Sequence, residues 1–371
     1  MTRRRWLGTM MLGGGGLPAI LGQAAPPRWQ AKTVRLFLRH TWTTTMGSYE
    51  YRDTVHVRFE HDGVVGYGEG APIVRYKEDA PSTKHAVESL FSWLESVNPW
   101  QFAKVMDEVT RRLPGHWAAK AAIDIALMDW VTQRLGIPLY RYFGLDPAAT
   151  PLTSFSIGID RPDKIKEKVQ EAEPYPILKI KVGVPGDEDI IEAVRSVTNK
   201  PIRVDANEGW PDKELALRKI RWLEKAGVEL VEQPMPAPMI EETRWLRQRV
   251  HVPLIADEAA LRPEDLPRLR EAYDGVNVKL DKCGGILAAW RMIQLARALG
   301  MKVMLGCMVS SSVSITAAAH LAPLVDYADL DGNLLVANDP FVGVRVEHGR
   351  LILPDRPGLG VVPVREHNPW A

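Results

Sequence analysis

The sequence predicts a parallel β/α barrel preceded by a separate α+β domain. After Pro151 short β-rich runs alternate with amphipathic helical stretches, eight strands with seven intervening helices, repeating roughly every 22 to 27 residues. Before Pro151 the pattern is instead an antiparallel meander followed by helices. A third observation is chemical: three consecutive runs of the barrel segment end in a carboxylate.

The chain has 371 residues, and its first 25 or so concern address rather than fold. Arg3, Arg4 and Arg5 precede Trp6 and Leu7, a Gly- and Leu-rich run follows, and Gly22-Gln23-Ala24-Ala25 makes a small-residue exit. That order reads as an export signal, and the arginine pair resembles the twin-arginine kind, which carries folded proteins with cofactor in place. A periplasmic or exported location is expected, or a cytoplasmic one if the signal is not used. A net charge of +1 asks for neither nucleic acid nor a lipid surface. No stretch approaches the roughly 20 apolar residues of a spanning helix, so no membrane partner is expected for the mature form. Cys283 and Cys307 each sit in a strand-like apolar context, which argues against a disulfide framework and assigns both to packing.

From Lys32 to Arg58 apolar residues alternate (Val34, Leu36, Leu38; Val55, Val57), and His61-Asp62-Gly63 is a turn into Val64–Gly68. Between Ser82 and Leu145 the spacing is helical, and Ala118–Leu127 is an Ala-rich helix that must pack closely. The expected domains are 30–148 (α+β) and 150–335 (barrel). The barrel runs are Thr153–Gly158, Ile177–Val182, Ile202–Asp205, Glu229–Glu232, Leu254–Asp257, Val276–Lys279, Val303–Gly306 and Tyr327–Asp329. Lys213–Ala226 and Leu287–Leu299 exemplify the helices between them. An open doubly wound sheet would need a nucleotide-type glycine turn, and none follows the first run.

Barrel enzymes act at the C-terminal ends of their strands. Here the third, fourth and fifth end at Asp205, Glu232 and Asp257. One such acid could cap a helix, but three at one rim repel unless a cation lies among them. Hard oxygen donors suit Mg²⁺, with Mn²⁺ able to substitute. The second strand carries Leu178-Lys179-Ile180-Lys181, whose period of two sends both lysines to one face, and the sixth ends at Lys279. All three lysines are expected at the mouth. Lys179 chiefly neutralises the acidic rim, whereas Lys181 and Lys279, on opposite strands of the ring, would approach a central ligand from two sides. A nearby cation and a neighbouring lysine would both lower their pKa toward that of a general base.

These residues carry a family resemblance. Lys179-Ile180-Lys181, Asp205-Ala206-Asn207, Glu232-Gln233-Pro234, Ala256-Asp257-Glu258 and Lys279-Leu280-Asp281-Lys282-Cys283-Gly284-Gly285 look like the muconate-lactonizing-enzyme branch of the enolase superfamily. The resemblance runs from about Lys32 to the C-terminus. It implies a modified (β/α)7β TIM-type barrel under an α+β capping domain completed by residues 336–371. It also implies an essential Mg²⁺ on Asp205, Glu232 and Asp257, with Lys181 and Lys279 as paired acid/base catalysts.

Branch membership leaves the reaction open. The discriminating feature is Asp329-Leu330-Asp331 at the end of the eighth strand, two acids at i and i+2 aimed at the mouth roughly opposite Glu232. One acid capping and the other solvated is the plain alternative. An Asp-x-Asp here resembles the dipeptide epimerases, where it binds the substrate's terminal ammonium. The resemblance then implies a dipeptide lying between metal and clamp, its second α-carbon between Lys181 and Lys279, inverted by two-lysine 1,1-proton transfer. In the closing loop Thr41–Asp53, Met46 stands where relatives acting on Ala-Glu carry arginine, with Tyr49 nearby and Arg52 close enough to restore a cation. Trp42, Tyr49 and Tyr51 suggest an apolar or aromatic second residue rather than Glu, or simply pack the cap. Ser310 replaces a glutamate usual in relatives, in the segment that includes Cys307, which joins Lys179 among the expected substrate contacts. Other readings stay open: an o-succinylbenzoate-synthase-like lyase, a cycloisomerase, an N-acylamino-acid racemase, or a non-catalytic peptide binder. The sequence leaves room for a homo-oligomer.

Overall fold

The computed structural model describes residues 26–371, so the export signal lies outside the described residues. Strands β1 (Arg28–Thr44), β2 (Gly47–His61) and β3 (Val64–Gly70) form an antiparallel sheet. The β2–β3 turn is made by Asp62 and Gly63, with φ 50° and 72°, the pair of left-handed residues that a tight hairpin requires. Residues 41–53, expected as a loop, are instead the end of the β1–β2 hairpin. Trp42 pairs with Tyr49, Thr43 with Ser48 and Thr44 with Gly47, after a register shift between Phe37 and Trp42. The alternating pattern continues to the tip and Gly47 supplies the turn at φ 129°, so the ladder does not stop where the polar residues begin.

The helix Trp117–Arg134 lies across this sheet and is buried on all sides from Ala118 to Thr132, which is why small residues dominate it. Its contact with β3 is through glycine: a Cβ at Gly66, Gly68 or Gly70 would meet the carbonyl oxygens of Ala126, Ala122 and Ala118 at 2.2, 2.0 and 2.1 Å. Its first turn is anchored by Glu78, which accepts hydrogen bonds from the N–H groups of Trp117 (2.5 Å) and Ala118 (3.1 Å).

The barrel follows as β4 (Phe155–Ile157), β5 (Leu178–Lys181), β6 (Ile202–Asp205), β7 (Val228–Glu232), β8 (Leu254–Ala256), β9 (Gly275–Val278), β10 (Lys302–Gly306) and β11 (Tyr327–Asp329). These eight pair in parallel in chain order, and a bridge between Thr153 and Ala328 brings the first strand against the last. Outward positions such as Leu178, Ile180, Val204 and Val231 pack against the surrounding helices in one continuous core. Each such side chain contributes about 1.5–3 kcal/mol by leaving water. Inward positions change character along the axis: Leu230, Ile255 and Met304 plug the interior, and the residues above them are charged.

One expectation shifts. Cys283 is not in a strand but in the short helical turn Leu280–Cys283, because the chain leaves the sheet at Val278 and Gly284 ends the turn at φ 99°. The C-terminal segment runs beside both units: Ala337 N–H donates to Phe37 O (2.8 Å) in the cap, and Thr153 N–H of the barrel donates to Gly349 O (2.8 Å). Among the described residues no helix is long and apolar enough to cross a membrane.

Candidate active site

The strand ends that carry Lys181, Asp257, Lys279 and Asp329 open into one cavity of about 320 Å³ between the barrel mouth and the cap. Its lining includes Lys179, Lys181, Asp257, Lys279, Cys307, Asp329 and Asp331 from the barrel, and Trp42, Met46, Tyr49, Arg52 and Tyr76 from the cap. Asp205, Glu232 and Asp257 are all buried, and each offers an oxygen within 4.8 Å of the others. They come together because β6, β7 and β8 are adjacent and each points the acid at its end inward.

The lysines sit directly on these acids. Lys181 Nζ is 2.5 Å from Asp205 Oδ2, and Lys279 Nζ is 2.7 Å from Asp257 Oδ2. Lys179 Nζ bridges Glu232 Oε2 (2.6 Å), Asp205 Oδ2 (3.2 Å) and Asp329 Oδ2 (2.6 Å), so it neutralises the rim as the sequence suggests. The neighbouring acids act on Lys279 against the expected lowering. Burial pulls its pKa down, but Asp257 and Glu232 together pull it up by more, as Asp329, Glu232 and Asp205 do for Lys179. The charge ledger explains the acids. Burial pushes Asp205 and Asp257 up, yet their lysine neighbours hold both below the usual carboxylate range. Glu232 is pushed up to about 7 by burial and by Asp205, and Glu258 to about 8 by burial and by Asp257.

Six buried carboxylates (Asp205, Glu232, Asp257, Glu258, Asp329, Asp331) thus face four lysines (Lys179, Lys181, Lys279, Lys282). An all-oxygen donor set with more acids than ammonium groups fits a hard divalent cation.

The eighth-strand acids are split in role. Asp329 accepts from Ser154 Oγ (2.7 Å) and Lys179, and despite burial these partners hold it at about 2. Asp331 accepts from Ser156 N–H (2.5 Å) and is pushed up to about 7 by burial and by Asp329. Asp329 is therefore joined to Glu232 through one ammonium rather than facing it across open space, which leaves Asp331 as the less committed acid. Cys307 lines the cavity and donates from Sγ to Asp329 O (3.3 Å), while Ser310 is buried with Oγ on Met308 O (3.2 Å). Arg52, a position the sequence left uncertain, reaches the cavity with its guanidinium 3.6 Å over the Tyr49 ring. Among the described residues it has no carboxylate partner.

Sequence reasoning missed three supports. Lys282 Nζ binds the carboxylate and carbonyl oxygens of Asp257 together with Ala260 O and Asn277 O, fixing that acid. Gln233, held at φ 36°, accepts from the N–H groups of Asp257 (2.9 Å) and Ala259 (3.2 Å). Arg75 ties the cap to the mouth with two bonds to Glu208 (2.7 and 2.8 Å). Lys282 and Gln233 stand inside motifs already singled out, and a buried polar residue beside a ligand was the signal to follow.

A closed ring of parallel strands with acids and lysines gathered at one end defines a barrel enzyme built for proton transfer beside a cation. The family comparison agrees: residues 31–144 match the mandelate racemase/muconate lactonizing enzyme N-terminal domain and residues 163–367 the enolase C-terminal domain-like model. The chain belongs to this family of the enolase superfamily. It is 44% identical over 336 residues to the L-Ala-D/L-Glu epimerase of Bacteroides thetaiotaomicron, covering 89% of this chain and 86% of that one. It is 42% identical over 337 residues to the L-Ala-D/L-amino acid epimerase of Pedosphaera parvula, covering 88% and 96%. The dipeptide epimerase of Cytophaga hutchinsonii, solved with Mg and D-Ala-L-Val, superposes with a TM-score of 0.88 at 27% identity over 92% of this chain and 97% of that one.

Proposed function

We propose that this chain is an Mg²⁺-dependent isomerase that epimerises dipeptides at the α-carbon of the second residue. The observation that carries the reading is that Lys181 on β5 and Lys279 at the exit of β9, four strands apart in the ring, line one cavity with the acid triad between them and Asp331 at its side. The similarity to named epimerases of dipeptides supports it.

Asp205, Glu232 and Asp257 would hold the cation, with Lys282 and Gln233 keeping Asp257 in place. When bound, the cation supplies Lewis-acid stabilisation of negative charge developing on the substrate carboxylate as the α-proton leaves. One lysine removes that proton and the other delivers a proton to the opposite face, so the two exchange roles with the stereochemistry of the substrate. Asp331, with Asp329, accepts the substrate's terminal ammonium, and the plug of Leu230, Ile255 and Met304 closes the barrel beneath the site.

The side chain of the second residue would meet Met46, Tyr49 and Arg52. The aromatic and thioether surfaces favour an apolar side chain, as expected from the sequence. Arg52 favours a second reading, a side chain with an apolar stem and a carboxylate end, because its guanidinium rests on Tyr49 without a carboxylate partner among the described residues and burial lowers its pKa. A library of dipeptides incubated with enzyme and Mg²⁺ in D₂O, read by mass spectrometry and chiral separation, tests both levels. Deuterium at the second α-carbon together with the epimer is expected, and the preferred side chains choose between the readings. Turnover of N-acylated amino acids with none of free dipeptides would replace this proposal with an N-acylamino-acid racemase.

A further inference from the structure

Two cavity-lining acceptors beside the acid triad have no donor. Asn207 leaves β6 two residues after Asp205, in a left-handed conformation at φ 40° that turns it back over the site, where its N–H binds Asp205 Oδ1 (3.0 Å). Glu258 directly follows Asp257 at the exit of β8. Asn207 Nδ2 donates to Glu258 Oε1 (3.1 Å), so the pair spans the exit of β7, which carries the third triad member, Glu232. Asn207 Oδ1 and Glu258 Oε2 are then left without a partner, on residues only 6% and 5% exposed that both line the cavity. Buried polar atoms are nearly always paired, so two adjacent orphans of the same kind point to a missing donor. The lysines cannot be that donor, since Lys179, Lys181, Lys279 and Lys282 are engaged on Asp205, Glu232, Asp257 and Asp329.

A hard divalent cation held by three carboxylates keeps water in its remaining positions. Water on a cation donates strongly and needs acceptors just outside the coordination sphere. We propose that Asn207 and Glu258 form an outer acceptor pair that receives hydrogen bonds from water molecules on the cation held by Asp205, Glu232 and Asp257. The proposal rests on the cation assignment of the proposed function and not on its substrate.

Glu258→Gln tests it with little change in shape. The wild-type pair offers two free acceptors to the cavity once its internal bond is made. With glutamine at 258 either orientation of the two amides leaves one acceptor and turns one N–H₂ inward. Mg²⁺ titrated calorimetrically into metal-stripped protein should bind about 10- to 100-fold more weakly in Glu258→Gln. Asn207→Gly, which suits the left-handed backbone, should weaken binding in the same direction. Thermal unfolding of both metal-free variants confirms that they are folded. Mn²⁺ in place of Mg²⁺ then reports the number of bound waters through deuterium hyperfine couplings in D₂O, and that number should stay unchanged in Glu258→Gln. Affinity within about twofold of wild type in both folded variants would overturn the outer pair. So would a gain of one water on Mn²⁺ in Glu258→Gln, which would make Glu258 a direct ligand. A wild-type protein that binds no divalent cation would overturn the cation assignment itself, a different result from an unaltered variant.

Discussion

Buried carboxylates gather in two regions of this molecule, and their partners differ in kind. At the barrel rim, Asp205, Asp257 and Asp329 are met by lysine ammonium groups. At the seam between cap and barrel the partners are mostly backbone N–H groups. Asp281 accepts from Ala71 (2.7 Å), Asp124 from Ile286 and Leu287, and Asp129 from Tyr67 (2.8 Å) and Leu359 (2.8 Å). Glu69 accepts from the N–H groups of Ser311 (2.9 Å) and Ser314 (3.1 Å), with His56 Nε2 3.4 Å away. Backbone donors cannot swing away, whereas an ammonium on a four-carbon stem can. The rim is therefore built to exchange partners and the seam to hold position.

The largest effect should come from removing the cation the rim is short of. EDTA should lower turnover by a factor on the order of 10³ or more, corresponding to several kcal/mol of lost Lewis-acid stabilisation, and Mg²⁺ should restore it. Full turnover in metal-stripped enzyme would break the contrast at its root. Next come the lysines. Lys181→Ala and Lys279→Ala should each cost roughly 10²–10⁴-fold in epimerisation. Each variant should keep α-proton exchange with solvent for one stereoisomer, which NMR in D₂O would detect; near wild-type epimerisation in both would refute the paired assignment. Third, Asp331→Asn or N-acetylation of the substrate should cost about 2–5 kcal/mol of transition-state binding, the scale for breaking a buried charge pair. Steady-state kinetics should place that loss in kcat/KM, with Mg²⁺ affinity retained.

Seam variants should cost stability instead. Glu69→Gln should lose about 2 kcal/mol in urea unfolding, the scale of hydrogen bonds to a charged acceptor, while kcat per folded molecule holds. A fall in kcat without a fall in stability would erase the distinction between the regions. The smallest effect is in pH. Burial pushes Asp281 to about 8, Asp124 to about 7 and Asp129 to about 6, all above their ordinary 3.8. A raised carboxyl pKa penalises the folded state above that pKa, and the penalty fades as pH falls toward the unfolded value. Thermal stability should thus rise from pH 8.5 to pH 6, and less steeply in Asp124→Asn. Burial pushes Glu69 up, but His56 and Ser311 outweigh it and hold it at about 2, so its favourable contribution is lost only as pH falls below about 4.5.

The rim was far more legible in the sequence than the seam, because strand ends announce themselves. Asp205 and Glu232 close runs of β-branched residues, and Lys179 and Lys181 share a face by simple alternation. What the rim does electrostatically was harder to read. A neighbouring lysine and a cation argue for a lowered lysine pKa, while Asp257 and Glu232, with Asp205, together raise that of Lys279 against burial and Lys179. The seam joins residues such as Asp124 and Ile286, 162 positions apart, through backbone N–H groups that carry no residue identity. Lys282 and Gln233 were quoted in motifs without roles for the same reason: their work is done on the atoms of Asp257, on another strand.

The glycines of β3 reach further than their size suggests. The helix Trp117–Arg134 rests its carbonyls on Gly66, Gly68 and Gly70 with no room for a methyl group. The same helix carries Asp124 and Asp129, and its first N–H groups are held by Glu78. An alanine at position 68 would have to lift the helix off the sheet, drawing Asp124 from Ile286 and Asp129 from Leu359 together. Those three glycines set how closely the helix lies on β3, and through it where Asp124 and Asp129 meet the backbone of Ile286 and Leu359.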